Sequence, residues 1–266
     1  MVPKAFTASD FLSIRKNGQR ALLIGHRGAP SLAPENTIAS FRAALDAGCD
    51  AVELDVHQSH DGALIVMHDE SLQRTASVDR LIADMTLEEL KRLDAGSWFS
   101  PSFKGEPIPT LEEALSFITP SALAVIEIKH GSDFYRGIEE HVLSLLTRHE
   151  RWMERSVLIS FDPTVLEKLK SNRHVRTGLL IADAAEEYME LLRECHADAL
   201  FPKWEKLTAN AVRSLHSSGY SVHPWVLDTV EDARKVLSLS PESISSNRPE
   251  VLGPLLGVMG SSAARA

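Results

Sequence analysis

The 266-residue sequence has little positive charge, few cysteines and no long apolar segment. It has 28 Lys and Arg against 37 Asp and Glu, a formal net charge of -9. This balance argues against nucleic acid as a general partner, because phosphate backbones are bound by clustered basic residues. No run of about 18 apolar residues is present, so we expect no membrane-spanning helix. The first 20 residues lack a continuous apolar segment followed by a small-residue cleavage site, which argues against a secretory signal.

Only two cysteines occur, Cys49 and Cys195, and neither has a C-x-x-C partner. We expect them to be buried thiols of a reducing compartment, with a structural disulfide as the less favoured alternative. Together with the absence of a secretory signal, this predicts a cytoplasmic protein.

Short apolar runs of strand length alternate with helical patterns along most of the chain, which is typical of an α/β fold with a parallel sheet. The predicted strands are 21–25, 51–56, 63–67, 123–128, 156–160, 177–181, 198–201, 221–226 and 243–245. The Asp61-Gly62 turn signal predicts that 63–67 forms a hairpin with 51–56. Eight strands then remain for a TIM (β/α)8 barrel, which takes about 250 residues. A doubly wound open sheet is the alternative, and the absence of a G-x-G-x-x-G turn after the first strand disfavours it.

Helix signals lie between the predicted strands. Capping residues predict the starts of several helices, among them Ser9, Thr86 with Glu89, and Thr110 with Glu113. Pro34 with Glu35, and Asp162 with Pro163, are further predicted starts. The predicted helical segments with stated limits are 8–16, 87–94, 133–149, 184–195, 209–218 and 230–238.

One domain is expected over 1–266. Residues 69–110 are polar and rich in loop residues, so we interpret them as an insertion over one end of the barrel. The chain ends in GSSAARA, and we expect a disordered tail over about 256–266.

Three carboxylates interrupt the apolar strand patterns. Glu53 and Asp55 are two residues apart in one strand and share a face, and Glu127 lies in a later strand. Burying like charges is costly without a cation. Oxygen ligands favour a hard divalent ion, so the pattern predicts Mg²⁺ or Ca²⁺ rather than Zn²⁺. The alternative is a buried ion-pair network with Arg27 and Lys129.

Polar side chains also follow the ends of the predicted strands, where a TIM barrel places its active site. They include His26, Arg27, His68 and Lys129, and Trp225 ends a late strand. Arginine and lysine suit a phosphate, and two histidines can act as general acid and general base. A bound metal can neutralise the charge that develops on phosphoryl oxygens. This combination indicates cleavage of a phosphodiester.

The stretch GHRGAPSLAPENTIASFRAALDAGCDAVELDVHQSHDGALIVMHDE, residues 25–70, resembles the signature of the glycerophosphodiester phosphodiesterase family almost without gaps. It combines H-R-G, P-E-N-T, E-L-D-V, a D-G turn and a terminal H-D. IPTLEEAL at 108–115, IEIK at 126–129, SFD at 160–162 and the Trp225 strand fit as well. The resemblance covers roughly residues 20–252.

This resemblance implies a TIM barrel whose insertion after the H-D strand shapes the substrate pocket. It implies hydrolysis of glycerophosphodiesters, such as glycerophosphocholine, to glycerol 3-phosphate and an alcohol. The implied site residues are His26 and His68 as the catalytic pair, Glu53, Asp55 and Glu127 as metal ligands, Arg27 and Lys129 as phosphate contacts, and Trp225 in the pocket wall. Either histidine is a candidate acid or base. The candidate nucleophiles are water and the neighbouring glycerol hydroxyl, the latter through a cyclic phosphate.

Two segments depart from the family pattern. The late strand often reads W-T-V-N in the family, and here Asp228 ends the corresponding W-V-L-D. The terminal stretch usually carries Asp-Gly and then T-D-x-P, and here it is SISSNRP with Asn247 and Pro249. We expect both changes to lie on the far side of the pocket and to affect substrate preference more than chemistry.

Two other functions are compatible with these residues. The first is a phosphodiesterase on a related barrel acting on lysophospholipids or phosphoinositides, which an exposed apolar rim around 98–103 would favour. The second is a non-catalytic phosphodiester-binding module. It is disfavoured because every expected catalytic and metal position is filled. The sequence does not predict an oligomeric state.

Overall fold

Nine strands form one sheet in the residues that the computed structural model describes, which are 6–16, 18–182 and 188–258. The strands are β1 (Leu22–Gly25), β2 (Ala51–Gln58), β3 (Leu64–Val66), β4 (Leu123–Ile128), β5 (Ser156–Ser160), β6 (Arg176–Ile181), β7 (Ala199–Pro202), β8 (Ser221–Val222) and β9 (Ser243–Ser246). Eight of them pair in parallel in the order β8-β7-β6-β5-β4-β2-β1-β9.

The two ends of this path meet. Backbone hydrogen bonds run from Glu242 N to Val222 O at 3.0 Å, from Ser245 N to Pro224 O at 3.1 Å and from Leu227 N to Ser245 O at 2.8 Å. The sheet is therefore a (β/α)8 barrel, which confirms the predicted fold, and the open-sheet alternative is wrong. The predicted hairpin is confirmed as well, since β3 pairs antiparallel to β2.

Helices follow most of the strands and bury apolar faces against the barrel. They are α1 (Ala8–Phe11), α2 (Ile38–Asp46), α3 (Gln73–Ala76), α4 (Leu87–Leu90), α5 (Leu111–Ile118), α6 (Ile138–Leu146), α7 (Glu150–Glu154), α8 (Pro163–Leu169), α9 (Tyr188–Glu194), α10 (Ala209–Ser217), α11 (Val230–Leu237) and α12 (Pro249–Leu252). Within the described chain, no helix has the length and hydropathy needed to cross a membrane.

Two predicted helix starts are wrong. Helix α1 is capped by Thr7 rather than Ser9, because the Thr7 side chain accepts a hydrogen bond from a backbone N–H of the first turn. Helix α2 begins after Thr37 instead of at Pro34. Asn36 has a φ of 57°, which is incompatible with a continuous right-handed helix through 34–37.

Other boundaries differ where local sequence overrides the periodicity. Predicted helix 133–149 is too long at both ends, since α6 covers only Ile138–Leu146 and α7 begins beyond it at Glu150. Helix α4 stops at Leu90 instead of 94. Strand β8 ends at Val222 because Pro224 has no N–H to donate to a ladder. The predicted helix over 184–195 lies partly outside the described residues, and α9 covers the part that is described. The capping boxes at the starts of α4 and α5, and the Asp162 cap of α8, are confirmed.

Residues 69–110 surround a small apolar cluster that includes Leu72, Ile82 and Leu90, distinct from the clusters that the barrel buries. At the chain's end, Leu256 and Val258 are buried against the main core, and 259–266 lie outside the described residues. Both cysteines are buried free thiols, so the disulfide alternative is wrong.

A histidine fills the end of the barrel opposite the carboxyl ends of the strands. The His223 ring stacks between Phe11 of α1 and Phe201 of β7, with centroid distances of 4.6 and 4.7 Å. Its ring nitrogens contact the hydroxyls of Ser243 at 2.8 Å and Ser221 at 3.0 Å. Burial lowers the pKa of His223 to about 3, so the ring is neutral in the folded protein.

Acid is therefore expected to destabilise the fold through His223. Its folded-state pKa of about 3 lies below the ordinary 6.5, so protons bind preferentially to the unfolded chain between these values. The stability contributed by the neutral ring is present above pH 6.5 and is lost as pH falls towards 3, by about 1.4 kcal/mol per pH unit. Urea unfolding from pH 7 to 4 measures this slope. His223→Gln should be less stable at pH 7, but its free energy of unfolding should depend less steeply on pH than that of the wild type. Parallel pH dependences of the two proteins would contradict the role of His223 in acid destabilisation.

Candidate active site

The eight site residues predicted from the sequence converge at the carboxyl ends of the barrel strands. Seven of them line one cavity of about 180 Å³, and these are His26, Arg27, Glu53, His68, Glu127, Lys129 and Trp225. The eighth, Asp55, lies beside them in β2 with its side chain buried. The strand register explains why the carboxylates lie close together, since Asp55 of β2 is directly opposite Glu127 of the neighbouring β4.

Three carboxylates form a tight cluster at this cavity, which we call the acidic cluster. One oxygen from each of Glu53, Asp55 and Glu127 lies within 4.8 Å of the others, and all three residues are buried. Burial, reinforced by the neighbouring carboxylates, raises the pKa of Glu53 well above its ordinary value and that of Glu127 to about 7. Full ionisation of the cluster therefore requires more positive charge than the protein supplies there.

Two basic side chains pair with part of the acidic cluster. Lys129 Nζ lies 2.8 Å from Asp55 Oδ1 and also forms an ion pair with Glu127. Arg27 Nε lies 3.4 Å from Asp55 Oδ2. Burial alone would raise the pKa of Asp55, but these cations outweigh it and lower that pKa. The ion-pair network considered as an alternative to a metal is thus present around Asp55.

The network leaves Glu53 without a basic side-chain partner. Glu53 Oε2 accepts a hydrogen bond from the Arg27 backbone N–H at 2.8 Å and lies 3.9 Å from His26 Nε2. Among the described residues, no Lys or Arg side chain comes within 4.0 Å of it. Three hard oxygen donors, one of them lacking a cationic partner, fit Mg²⁺ or Ca²⁺. Ion pairs and a metal site are therefore compatible here.

The two histidines have different partners. His26 Nδ1 is 2.7 Å from the Asn247 side-chain oxygen, and burial lowers the pKa of His26 to about 4. His68 Nδ1 is 2.6 Å from Asp69 Oδ1, and Asp69 is held in turn by Arg74 Nε at 2.6 Å. In both rings Nδ1 contacts protein, which leaves Nε2 as the nitrogen available to a substrate.

Several residues that support the site were not predicted. Asn36 donates to Asp55 Oδ2 at 2.7 Å, and Glu35 pairs with both Arg27 and Arg74. The P-E-N-T motif contains Glu35 and Asn36, so the sequence carries a signal for them, although Pro34 and Glu35 by themselves predict only a helix start. His57 holds the backbone carbonyl of His68 through its Nε2 at 2.9 Å, and the alternation in β2 does not reveal this contact.

The rest of the cavity wall is mainly apolar. Its side chains are Ile24, Val125, Ile159, Phe161, Leu180, Phe201 and Trp225. Trp225 Nε1 donates to the Phe201 carbonyl at 2.8 Å, and its ring packs edge-on against Phe161. Ser245 adds one polar atom to this wall, since its buried Oγ has no hydrogen-bond partner in the part of the chain that the structure describes.

A parallel barrel with histidines, basic groups and clustered carboxylates at the carboxyl ends of its strands defines a TIM-barrel phosphodiesterase. The chain belongs to the glycerophosphoryl diester phosphodiesterase family, whose sequence model matches residues 26–251. This match confirms the family resemblance of the sequence and the assignment to this class of enzyme.

Individual relatives match over most of their length. The chain is 36% identical over 235 residues to a glycerophosphodiester phosphodiesterase of Caldanaerobacter subterraneus subsp. tengcongensis, covering 88% of this chain and 96% of the relative. It is 32% identical over 254 residues to a glycerophosphodiester phosphodiesterase of Bacillus subtilis, covering 87% of this chain and 85% of the relative. An Oleispira antarctica phosphodiesterase, solved in complex with the product sn-glycerol-3-phosphate, is similar with a TM-score of 0.82 and 28% identity, covering 87% of this chain and 94% of that one.

Proposed function

We propose that the protein hydrolyses glycerophosphodiesters to glycerol 3-phosphate and an alcohol with the help of a divalent cation, Mg²⁺ or Ca²⁺. The observation that carries this proposal is one cavity in which the acidic cluster lies beside His26, His68 and two basic side chains. The product in the Oleispira antarctica structure and the names of the relatives support the substrate class.

Glu53, Asp55 and Glu127 would hold the cation. When bound, the cation supplies positive charge to the phosphoryl oxygens as negative charge develops on them. Arg27 and Lys129 line the same cavity, so they bind the phosphate and orient it against the histidines. The positions of both basic groups are fixed before substrate arrives, because each is already held by carboxylates.

His26 and His68 move the protons. One Nε2 takes a proton from the nucleophile, and the other gives a proton to the leaving alkoxide. The Asp69 carboxylate and the Asn247 amide fix the two rings through Nδ1, so each ring keeps its orientation while Nε2 reacts. Lysine and arginine near the phosphate assist binding, whereas imidazole is the side chain that most often serves as general acid or general base.

One observation favours a second substrate class. Five large apolar side chains are exposed in the described residues, and four of them lie in segments that follow β1, β3, β4 and β5. We take these four as a candidate rim, of which Phe161 lines the cavity itself. These are Leu32, Trp98, Phe134 and Phe161, with exposures of 45%, 37%, 47% and 46%. Such a rim suits an acyl chain, so lysophospholipids are the alternative substrate.

A substrate panel tests the proposal. Purified protein with Mg²⁺ or Ca²⁺ is given glycerophosphocholine, glycerophosphoethanolamine or lysophosphatidylcholine at equal concentration, and phosphorus NMR identifies the products. We expect glycerol 3-phosphate from the two glycerophosphodiesters. Turnover of lysophosphatidylcholine alone would favour the alternative substrate, and no turnover of any of the three would contradict the proposed function.

A further inference from the structure

A chain of hydrogen bonds leads from the catalytic cavity to an aspartate behind it. His26 Nδ1 contacts Asn247 Oδ1 at 2.7 Å, and Asn247 Nδ2 donates to Asp228 Oδ2 at 2.8 Å. Asp228 Oδ1 also accepts from the Asn247 backbone N–H at 2.8 Å and from Ser246 Oγ at 3.2 Å. Asp228 is thus surrounded by donors on both oxygens.

The chemistry of these groups fixes the direction of every bond in the chain. An ionised carboxylate only accepts, so the amide NH₂ of Asn247 must face Asp228. The amide oxygen must then face His26, and an amide oxygen also only accepts. His26 Nδ1 therefore carries a hydrogen. Nε2, which lies 3.9 Å from Glu53, is the nitrogen left to exchange a proton with substrate.

The two departures from the family pattern, Asp228 and Asn247, are the two residues that hydrogen bond to each other behind His26. Asp228 stands where W-T-V-N has its asparagine, and Asn247 stands where T-D-x-P has its aspartate. The structure places the two side chains in direct contact. An amide and a carboxylate have therefore exchanged positions, and in either arrangement the group next to His26 can present an oxygen. The two changes compensate each other instead of acting as separate changes in the pocket.

We propose that Asp228 and Asn247 are positioning residues that hold His26 with its hydrogen on Nδ1 and its Nε2 directed to the reaction. This inference rests on the proposed acid–base role of His26. It adds a requirement that the pair must contain one amide and one carboxylate, in either order.

Asp228→Asn is the sharpest single test because it changes neither volume nor shape. The Asn247 backbone N–H can only donate, so it keeps the amide oxygen at the former Oδ1 position and the new NH₂ takes the former Oδ2 position. Asn247 must then turn its own side-chain oxygen towards position 228. The Asn247 NH₂ then faces His26, and Nδ1 has to accept, which moves the ring hydrogen to Nε2. We expect kcat to fall about 10²–10⁴-fold, the range for a lost or wrongly protonated catalytic histidine, while KM changes little.

Adding the reciprocal change, Asn247→Asp, to Asp228→Asn should restore activity. Asn247→Asp alone places two carboxylates in contact, so we expect a loss of similar size. In the double variant Asp228→Asn/Asn247→Asp, the amide at 228 donates and the carboxylate at 247 accepts from His26. We expect the double variant to return to within about tenfold of the wild type, whereas independent losses would multiply.

The experiment combines kinetics with a direct measurement of the tautomer. Imidazole ¹⁵N NMR of the metal-free protein, assigned by the signals lost in His26→Gln, reports which ring nitrogen carries hydrogen. We expect hydrogen on Nδ1 in the wild type and in the double variant, and on Nε2 in Asp228→Asn. Asp79→Asn, the same chemical change at an exposed site, is the control and should retain wild-type kinetics. Circular dichroism melting shows that each variant is folded.

The outcomes separate this inference from the proposed function. Wild-type hydrogen on Nε2, Asp228→Asn with kcat within threefold of wild type, or a double variant no better than the singles would each overturn the positioning role. If Asp228→Asn does not fold, the wild-type tautomer and the double variant still decide it. Full activity of His26→Ala would instead remove the catalytic role of His26 on which the inference rests, even with Nδ1 protonated.

Discussion

Replacing His26 or His68 by alanine is expected to lower kcat by about 10²–10⁴-fold in each case, the contribution typical of a general acid or base. Both rings line the cavity, and both bind protein groups through Nδ1, so alanine removes the proton-transferring Nε2 and leaves the acidic cluster in place. Steady-state hydrolysis of glycerophosphocholine at saturating metal measures the effect. The double variant should be little worse than either single, because the two groups act in one reaction.

His174→Ala provides the matched control. His174 is exposed and lies two residues before the start of β6, at the end of the barrel opposite the cavity. Its removal should therefore leave kcat within about twofold of the wild type. Turnover near the wild-type rate in His26→Ala or His68→Ala would rule out the acid–base role of that histidine.

Glu53→Gln is expected to abolish cation binding without weakening the metal-free fold. Glutamine keeps an oxygen for the Arg27 backbone N–H and removes one of three mutually repelling charges. Burial and neighbouring carboxylates raise the pKa of Glu53, which shows that its charge is unfavourable without a cation. The unfolding midpoint of the metal-free variant should therefore equal or exceed that of the wild type.

The decisive measurement for this variant is how far the cation shifts the midpoint of thermal unfolding. A ligand at a hundred times its Kd stabilises the folded state by about 2.7 kcal/mol, which corresponds to roughly 5–10 °C for a chain of this size. We expect this shift in the wild type and its loss in Glu53→Gln. Glu139→Gln changes another buried glutamate, outside the acidic cluster, and should keep the shift. An unchanged shift in Glu53→Gln would exclude Glu53 as a ligand.

Much of the fold could be predicted because apolar strand runs and turn signals agree with the tertiary structure. The β2–β3 hairpin follows from Asp61-Gly62, and the capping boxes at Thr86 and Thr110 fix two helix starts. The failures occur where a tertiary contact overrides local preference. Asn36 adopts a left-handed conformation in a segment whose Pro34 resembles a helix start, and its side chain binds Asp55.

The candidate site could be predicted only in part, for a related reason. Carboxylates in apolar strands are visible as exceptions to a pattern, so Glu53, Asp55 and Glu127 stand out in the sequence. Partners that come from distant loops do not stand out. The contact between Asp228 and Asn247 depends on how the ends of the barrel close, and no periodicity in either segment indicates it.

The proposed function requires a divalent cation held by the acidic cluster for the hydrolysis of glycerophosphodiesters. Its most direct test is the rate at which purified protein releases glycerol 3-phosphate from glycerophosphocholine, measured after complete removal of metal by a chelator and again after Mg²⁺ or Ca²⁺ is returned. We expect activity to disappear without metal, to return with one of the two ions in the wild type, and not to return in Glu53→Gln. Undiminished release of glycerol 3-phosphate by the metal-free protein would contradict this requirement.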